Sequence, residues 1–137
     1  MAKPQFDATG CDRTTYAPFE LLDINPPDCP YYTVRFSNWR WLNTTYAADI
    51  MDDYIDGYYT NGPNIEGLVR ATMLSGGFDP DDESRVDYDS EGNACWIRFR
   101  RLEDAVQVAE MAADMIKDRE KLRAMIQVSK AHGFDDG

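Results

Sequence analysis

The spacing of apolar residues changes period several times along the chain, and each change predicts an element. Tyr16 to Ile24 and Tyr31 to Ser37 are rich in aromatic and branched residues, and in the second Tyr32, Val34 and Phe36 alternate with Thr33, Arg35 and Ser37. Period two predicts two strands. The prolines of Asn25-Pro-Pro-Asp28 and Pro30 predict a fixed loop joining them as an antiparallel pair. If the second strand continues through Ser37-Asn-Trp-Arg-Trp-Leu42, Trp39 and Trp41 share one side.

Beyond that point the period lengthens. Ala47, Ile50, Met51, Tyr54, Ile55 and Tyr58 recur at helical spacing between a capping segment, Asn43-Thr-Thr45, and a stop at Gly57, which predicts a helix over 46–57. Asp49, Asp52, Asp53 and Asp56 then form a stripe of four carboxylates on its opposite face. A second helix is predicted over 65–74, burying Ile65, Leu68, Val69 and Met73 and ending at Gly76-Gly77, with Glu66 in its first turn facing the helix dipole. An acidic loop containing Asp79, Asp81, Asp82 and Glu83 leads into strands over 84–90 and 93–100, joined by the turn Ser90-Glu-Gly-Asn93. Cys95, Ile97 and Phe99 point to one face of the second strand, and Trp96, Arg98 and Arg100 to the other. Helical periodicity returns over 102–117 and 119–131. The order strand, strand, helix, helix, strand, strand, helix, helix predicts an α+β fold with helices over one face of a mostly antiparallel sheet of about four strands.

Length and composition fit one globular domain over 1–137 with short flexible ends: 137 residues, 43% hydrophobic and 12% aromatic, support one core. No apolar run approaches the roughly 20 residues of a membrane span, and the start, Met-Ala-Lys-Pro-Gln-Phe-Asp, lacks the apolar stretch of a signal peptide. A soluble cytoplasmic protein is the expectation. Cys11, Cys29 and Cys95 are odd in number and widely spaced, which predicts reduced thiols rather than a disulfide framework or a zinc site. The single histidine, His132, sits near the C-terminus, and the chain carries neither a nucleophile-elbow serine motif nor a glycine-rich phosphate loop. No catalytic residue, metal or cofactor is therefore expected.

Charge changes the picture more. The net charge is −11, and residues 46–93 alone hold twelve acids against two bases, whereas 94–137 hold eight of each. Such a chain repels phosphate backbones and anionic membranes, so nucleic acid and membrane are excluded as direct ligands. Asp87-x-Asp89-x-Glu91-Gly92-Asn93 places oxygens as a calcium loop does, but its twelfth position is Arg98 instead of a bidentate glutamate. A polar hairpin tip explains it better, with weak divalent binding at Asp87, Asp89 and Glu91 the remaining chemistry. A solvated surface would account for the acids as well. Their localisation beside tryptophans points instead to an interface for a basic protein, with Asp49, Asp52, Asp53, Asp56, Asp79, Asp81, Asp82, Glu83, Trp39 and Trp41 as its candidates.

Over residues 50–126 the chain also resembles a family. Gly57-Tyr-Tyr-Thr-Asn-Gly-Pro-Asn-Ile-Glu-Gly-Leu-Val-Arg70, then Val86-Asp-Tyr-Asp-Ser-Glu-Gly-Asn-Ala-Cys-Trp-Ile97, then a helix opening Leu102-Glu-Asp-Ala105, are similar to bacterial polymorphic-toxin immunity proteins, the group numbered fifty-one. Ile65 stands where that pattern has an aromatic residue, and Gly67 lies inside the helix. Glu66, Asp87 and Asp89 match the motif, and the family supplies no catalytic residues. The resemblance implies a cytoplasmic protein that neutralises a cognate toxin by stoichiometric binding. Two alternatives carry the same residues: a phage-type DNA mimic that inhibits a DNA-processing enzyme, and a small divalent-metal-dependent enzyme using Asp87 to Glu91.

Overall fold

The computed structural model describes residues 3–23 and 31–135. The proline-fixed loop at Asn25 to Pro30, and Cys29 within it, lie outside the described residues. In chain order the elements are β1 (Cys11–Asp12), β2 (Glu20–Leu22), β3 (Tyr32–Phe36), α1 (Trp39–Thr45), β4 (Ile50–Met51), β5 (Tyr54–Ile55), β6 (Tyr58–Tyr59), α2 (Gly62–Ser75), β7 (Val86–Tyr88), β8 (Cys95–Phe99), α3 (Leu102–Lys117) and α4 (Arg119–His132).

The fold is α+β, with one sheet more than the periodicity predicts. Five strands in the order β1-β2-β3-β8-β7 form an antiparallel sheet, and β4-β5-β6 form a separate three-stranded ribbon. The two predicted strand pairs are present and join through β3 and β8, where Val34 lies opposite Ile97 and Phe36 opposite Cys95. Alternation sends Val34, Phe36, Cys95, Ile97 and Phe99 inward. On the outer face Arg35 pairs with Glu20 at 2.9 Å and lies over the Trp96 ring at 5.3 Å, so polar residues cover that side.

α2 and α3 lie on the inward face, and α4 packs outside them as a third layer. Ala105, Ala109, Ala112 and Ile116 of α3 recur at helical spacing and are fully buried, and small side chains there let the helix approach β2 and β3 closely. α3 begins with a half-buried ion pair: buried Asp104 in its first turn accepts two hydrogen bonds from the partly exposed Arg85, at 3.2 and 2.9 Å, and the guanidinium lies 3.9 Å over Phe78. Asp118 ends α3 and caps α4 by accepting from the amides of Glu120 and Lys121. α2 starts at Gly62, three residues earlier than predicted, because Asn61 caps it through the Asn64 amide and Pro63 opens the first turn. Glu66 therefore stands in the second turn, not the first.

Residues 46–59 overturn the predicted helix. They form a turn followed by three two-residue strands, with Ile50 opposite Ile55 and Tyr54 opposite Tyr59. The connecting turns are Asp52-Asp53 and Asp56-Gly57, and all four residues have positive φ (53°, 66°, 50° and 76°). Two consecutive left-handed residues define the type I′ turn that suits a two-residue hairpin, and aspartate and glycine are among the few residues that accept it. Two-residue strands joined by two-residue turns repeat every four residues. That period imitates helical spacing over a short window, and so the acids recur as they would on one helix face.

Trp39 and Trp41 are corrected too. The strand ends at Phe36, and Asn38 accepts a hydrogen bond from the Trp41 amide at 3.0 Å, capping the short helix α1 on which both tryptophans lie. The residues read as a helix cap, Asn43 to Thr45, are instead its last turn.

Candidate protein-interaction surface

Among the described residues four large hydrophobic side chains are exposed, and three belong to the ribbon: Met51 (76%), Tyr54 (45%) and Tyr59 (39%). The tyrosine rings lie across the β5-β6 pair with centroids 5.1 Å apart. Met51 and Tyr54 flank the Asp52-Asp53 turn, so four consecutive exposed residues form the tip of the first hairpin.

The ribbon is held from beneath. Ile55 and Tyr58 are buried, and the Tyr58 hydroxyl donates to the Asn64 carbonyl at 2.7 Å while sharing a 2.8 Å hydrogen bond with Ser129 of α4. Asn64 in turn donates to the Tyr59 carbonyl at 2.8 Å. Bases of α4 meet the outer acids: Arg119 pairs with Asp49, Arg123 with Asp56 at 3.0 Å, and Lys130 reaches the Asp56 carbonyl at 3.4 Å. Asp52 and Asp53 form no ion pair among the described residues. The four carboxylates of the predicted stripe thus divide into two that fasten the ribbon and two that remain at its tip.

Beside the tip runs a cleft of about 180 Å³ lined by Trp39, Asn43, Asp53, Tyr59, Asn61 and Asn93. The Trp39 indole N–H donates to the Asn93 carbonyl at 2.8 Å, and its ring meets Phe36 edge-on at 5.1 Å. Trp39 and Asp53 are therefore brought to one place, although neither is on its predicted element. Trp41 is half-buried and packs edge-on against Tyr46.

The acidic loop does not join this group. Asp81 pairs with Arg70 at 2.9 Å, about 13 Å along α2 from the cap at the ribbon by helical rise. Asp79 accepts from the Asp81 amide, and Asp82 accepts from the Ser84 amide and hydroxyl, the latter bond doing most to hold its carboxyl below the ordinary range. Glu83 and Asp81 line a separate cleft of about 240 Å³ with Arg70 and Tyr88.

Of the three residues that the resemblance singles out, only Glu66 lies between α2 and the β7-β8 hairpin; Asp87, opposite Arg98 in the strand pair, and Asp89 lie on the outer face of the sheet. Burial pushes the Glu66 carboxyl above its ordinary value, against opposing hydrogen bonds from Ser90 and the charge of Arg70, which lies 3.7 Å away. Arg70 itself lies 4.7 Å over Tyr88 and 4.9 Å over Phe134. Asp87 and Asp89 both turn to Arg98, at 2.8 and 3.9 Å, so the twelfth residue of the calcium-like pattern neutralises its first and third. Among the described residues no group of three or more His, Cys, Asp and Glu side chains is placed to hold a metal ion.

No family model matches the chain, and neither curated proteins nor solved structures yield a match. Among the described residues no helix is long and apolar enough to cross a membrane.

Helical periodicity places Tyr54 on a buried stripe and leaves Tyr59 just past the helix end, so neither stands out in the sequence as a surface residue. Asp56-Gly57, a strong hairpin dipeptide between β-forming residues, was the signal available.

Proposed function

We propose that this protein is a stoichiometric inhibitor of the immunity type, binding a basic protein toxin through the ribbon tip. The observation that carries the reading is the clustering of exposed Met51, Tyr54 and Tyr59 around the ion-pair-free carboxylates of Asp52 and Asp53. Large apolar side chains ringed by charge are what interfaces use as anchors, and a monomer with no partner gains nothing from exposing them. Electrostatics support the same partner. A toxin that acts on nucleic acid presents basic residues to phosphate, and tip carboxylates on a chain of net charge −11 steer toward such a surface and complement it on docking.

The ribbon is suited to this role because binding costs it little order. Its turns are fixed by backbone conformation, its inner tyrosine by two hydrogen bonds, and its outer edge by α4. A rigid two-residue hairpin meets its partner with most of the ordering entropy already lost.

The test is titration of the purified protein into the toxin domain encoded beside it, following toxin activity. Activity should reach zero at one equivalent. The variant Met51→Ser/Tyr54→Ser should fold normally and lose inhibition, and a variant that inhibits as wild type removes the tip from the interface. Competition of binding by duplex DNA would favour the DNA-mimic alternative instead.

A further inference from the structure

The cleft beside the ribbon tip has a chemistry of its own, and the geometry points to a socket for one arginine side chain presented by the protein partner. Two aromatic side chains, Trp39 and Tyr59, line it with the carboxylate residue Asp53 and the amide residues Asn43 and Asn93. A guanidinium is planar, weakly hydrated and rich in donors, so it can stack on an aromatic face while its N–H groups reach a carboxylate and amide oxygens. A lysine ammonium has the charge without the plane, and gains less from a slot of this kind.

Each wall is fixed before any ligand arrives. Trp39 is held by its bond to the Asn93 carbonyl and by Phe36, and Tyr59 by its cross-strand contact with Tyr54. The Asp53 carbonyl is occupied by the amide and hydroxyl of Thr60, both at 2.8 Å, and its left-handed backbone is set by the turn, while its carboxylate forms no ion pair among the described residues. The nearby start of α2 does not recruit an anion in place of the cation: the Gly62 amide donates to the Gly92 carbonyl at 2.9 Å and the Asn64 amide to the Asn61 side chain at 2.8 Å. Those helix-end donors are used. A cleft of about 180 Å³ accommodates one side chain and not a folded segment.

The assignment rests on the inhibitory reading for its partner but is tested without one. The whole chain, labelled with ¹⁵N, is titrated with N-acetyl-arginine methylamide, N-acetyl-lysine methylamide and N-acetyl-citrulline methylamide, following the Trp39 indole N–H. The arginine probe should give a saturable shift at millimolar concentration, the lysine probe should bind at least about threefold more weakly, and neutral citrulline should give none. Asp53→Asn keeps the turn, because asparagine also accepts positive φ, and should weaken the arginine probe by about fivefold or more. Tyr59→Leu should weaken it as well by removing one aromatic face. The socket is overturned by an unsaturable arginine response, by an equal response to citrulline, or by undiminished binding in Asp53→Asn. If the probe fails while the toxin is still inhibited, only the socket falls; if the probe binds and no toxin is inhibited, the socket stands and the inhibitory reading falls.

Discussion

Replacing Asp52 by alanine separates the ribbon from the helix that the sequence suggests, because the two structures give opposite signs. In the ribbon Asp52 is the first turn residue, with φ 53°, and it forms no ion pair among the described residues. Alanine has no side-chain oxygen to offset the clash of Cβ with the carbonyl in that conformation, which costs roughly 1–2 kcal/mol for an ordinary L-residue. Asparagine tolerates it nearly as well as aspartate. Asp52→Asn is therefore the reference, since both variants remove the same charge from an acidic chain and electrostatic gains cancel between them. Alanine should be less stable than asparagine by about 1 kcal/mol in the ribbon. In a helix interior alanine should be more stable by about 0.6 kcal/mol.

Urea unfolding of the two variants reads the difference directly. With a slope of about 1.5 kcal/mol per molar for a domain of this size, the alanine midpoint should lie about 0.7 M below that of asparagine, with unchanged slopes. An alanine variant as stable as the asparagine variant, or more so, would refute the left-handed turn and with it the ribbon.

Other consequences follow from packing and from charge. Gly67→Ala should destabilise by about 1–2 kcal/mol in the same assay despite alanine's better helix propensity, because its Cβ would lie 2.7 Å from the Phe134 carbonyl and 2.8 Å from the Tyr58 hydroxyl. Asp104→Ala should cost about 1–2 kcal/mol, since it removes both acceptors of Arg85, whose guanidinium is half-exposed and regains water; a loss below about 0.5 kcal/mol would mean that the pair is only a surface contact. Burial raises the Glu66 carboxyl above its ordinary 4.5, so the folded state binds more protons than the unfolded state over that interval. The contribution of Glu66 to stability must therefore fall as pH rises from 4.5 through its folded value, and Glu66→Gln should gain on the wild type over that rise when unfolding is measured across pH. A wild type that gains on the variant instead would give the group the opposite shift.

Most of the fold was legible because most of it obeys one period at a time. α3 and α4 show long runs of helical spacing, and the β7-β8 hairpin carries alternation with a glycine turn, so their residues have one compatible structure. β1 is only two residues long, too short for alternation to register, and depends on loops built by Asp7 and Asp12. Asp12 shows how: burial opposes its ionisation, but the amides of Gln5, Thr14 and Thr15 outweigh that and hold its carboxyl below the ordinary range. Only three-dimensional closure brings those amides together. The ribbon failed for the opposite reason, that a four-residue repeat of strand and turn satisfies two periodicities at once. Composition could have decided between them, since tyrosines, isoleucines and an Asp-Gly pair favour strands and turns over a helix.

For the candidate site, the residue types were legible and their grouping was not. Asp49, Asp52, Asp53 and Asp56 look equivalent in sequence, yet the fold gives two of them to Arg119 and Arg123. Those bases lie some 70 residues later in the chain, in a segment whose own charges balance. Net charge by segment therefore overstates the acidity of the folded surface, and what remains depends on which acids find no base. At the ribbon those are the two turn residues, Asp52 and Asp53, which the type I′ geometry requires to be aspartate, asparagine or glycine. Either asparagine or glycine would form the same turn without charge. The turn accounts for a small left-handed residue at each position but not for its charge, and the choice of two carboxylates beside Met51 and Tyr54 is what the proposed basic partner would explain.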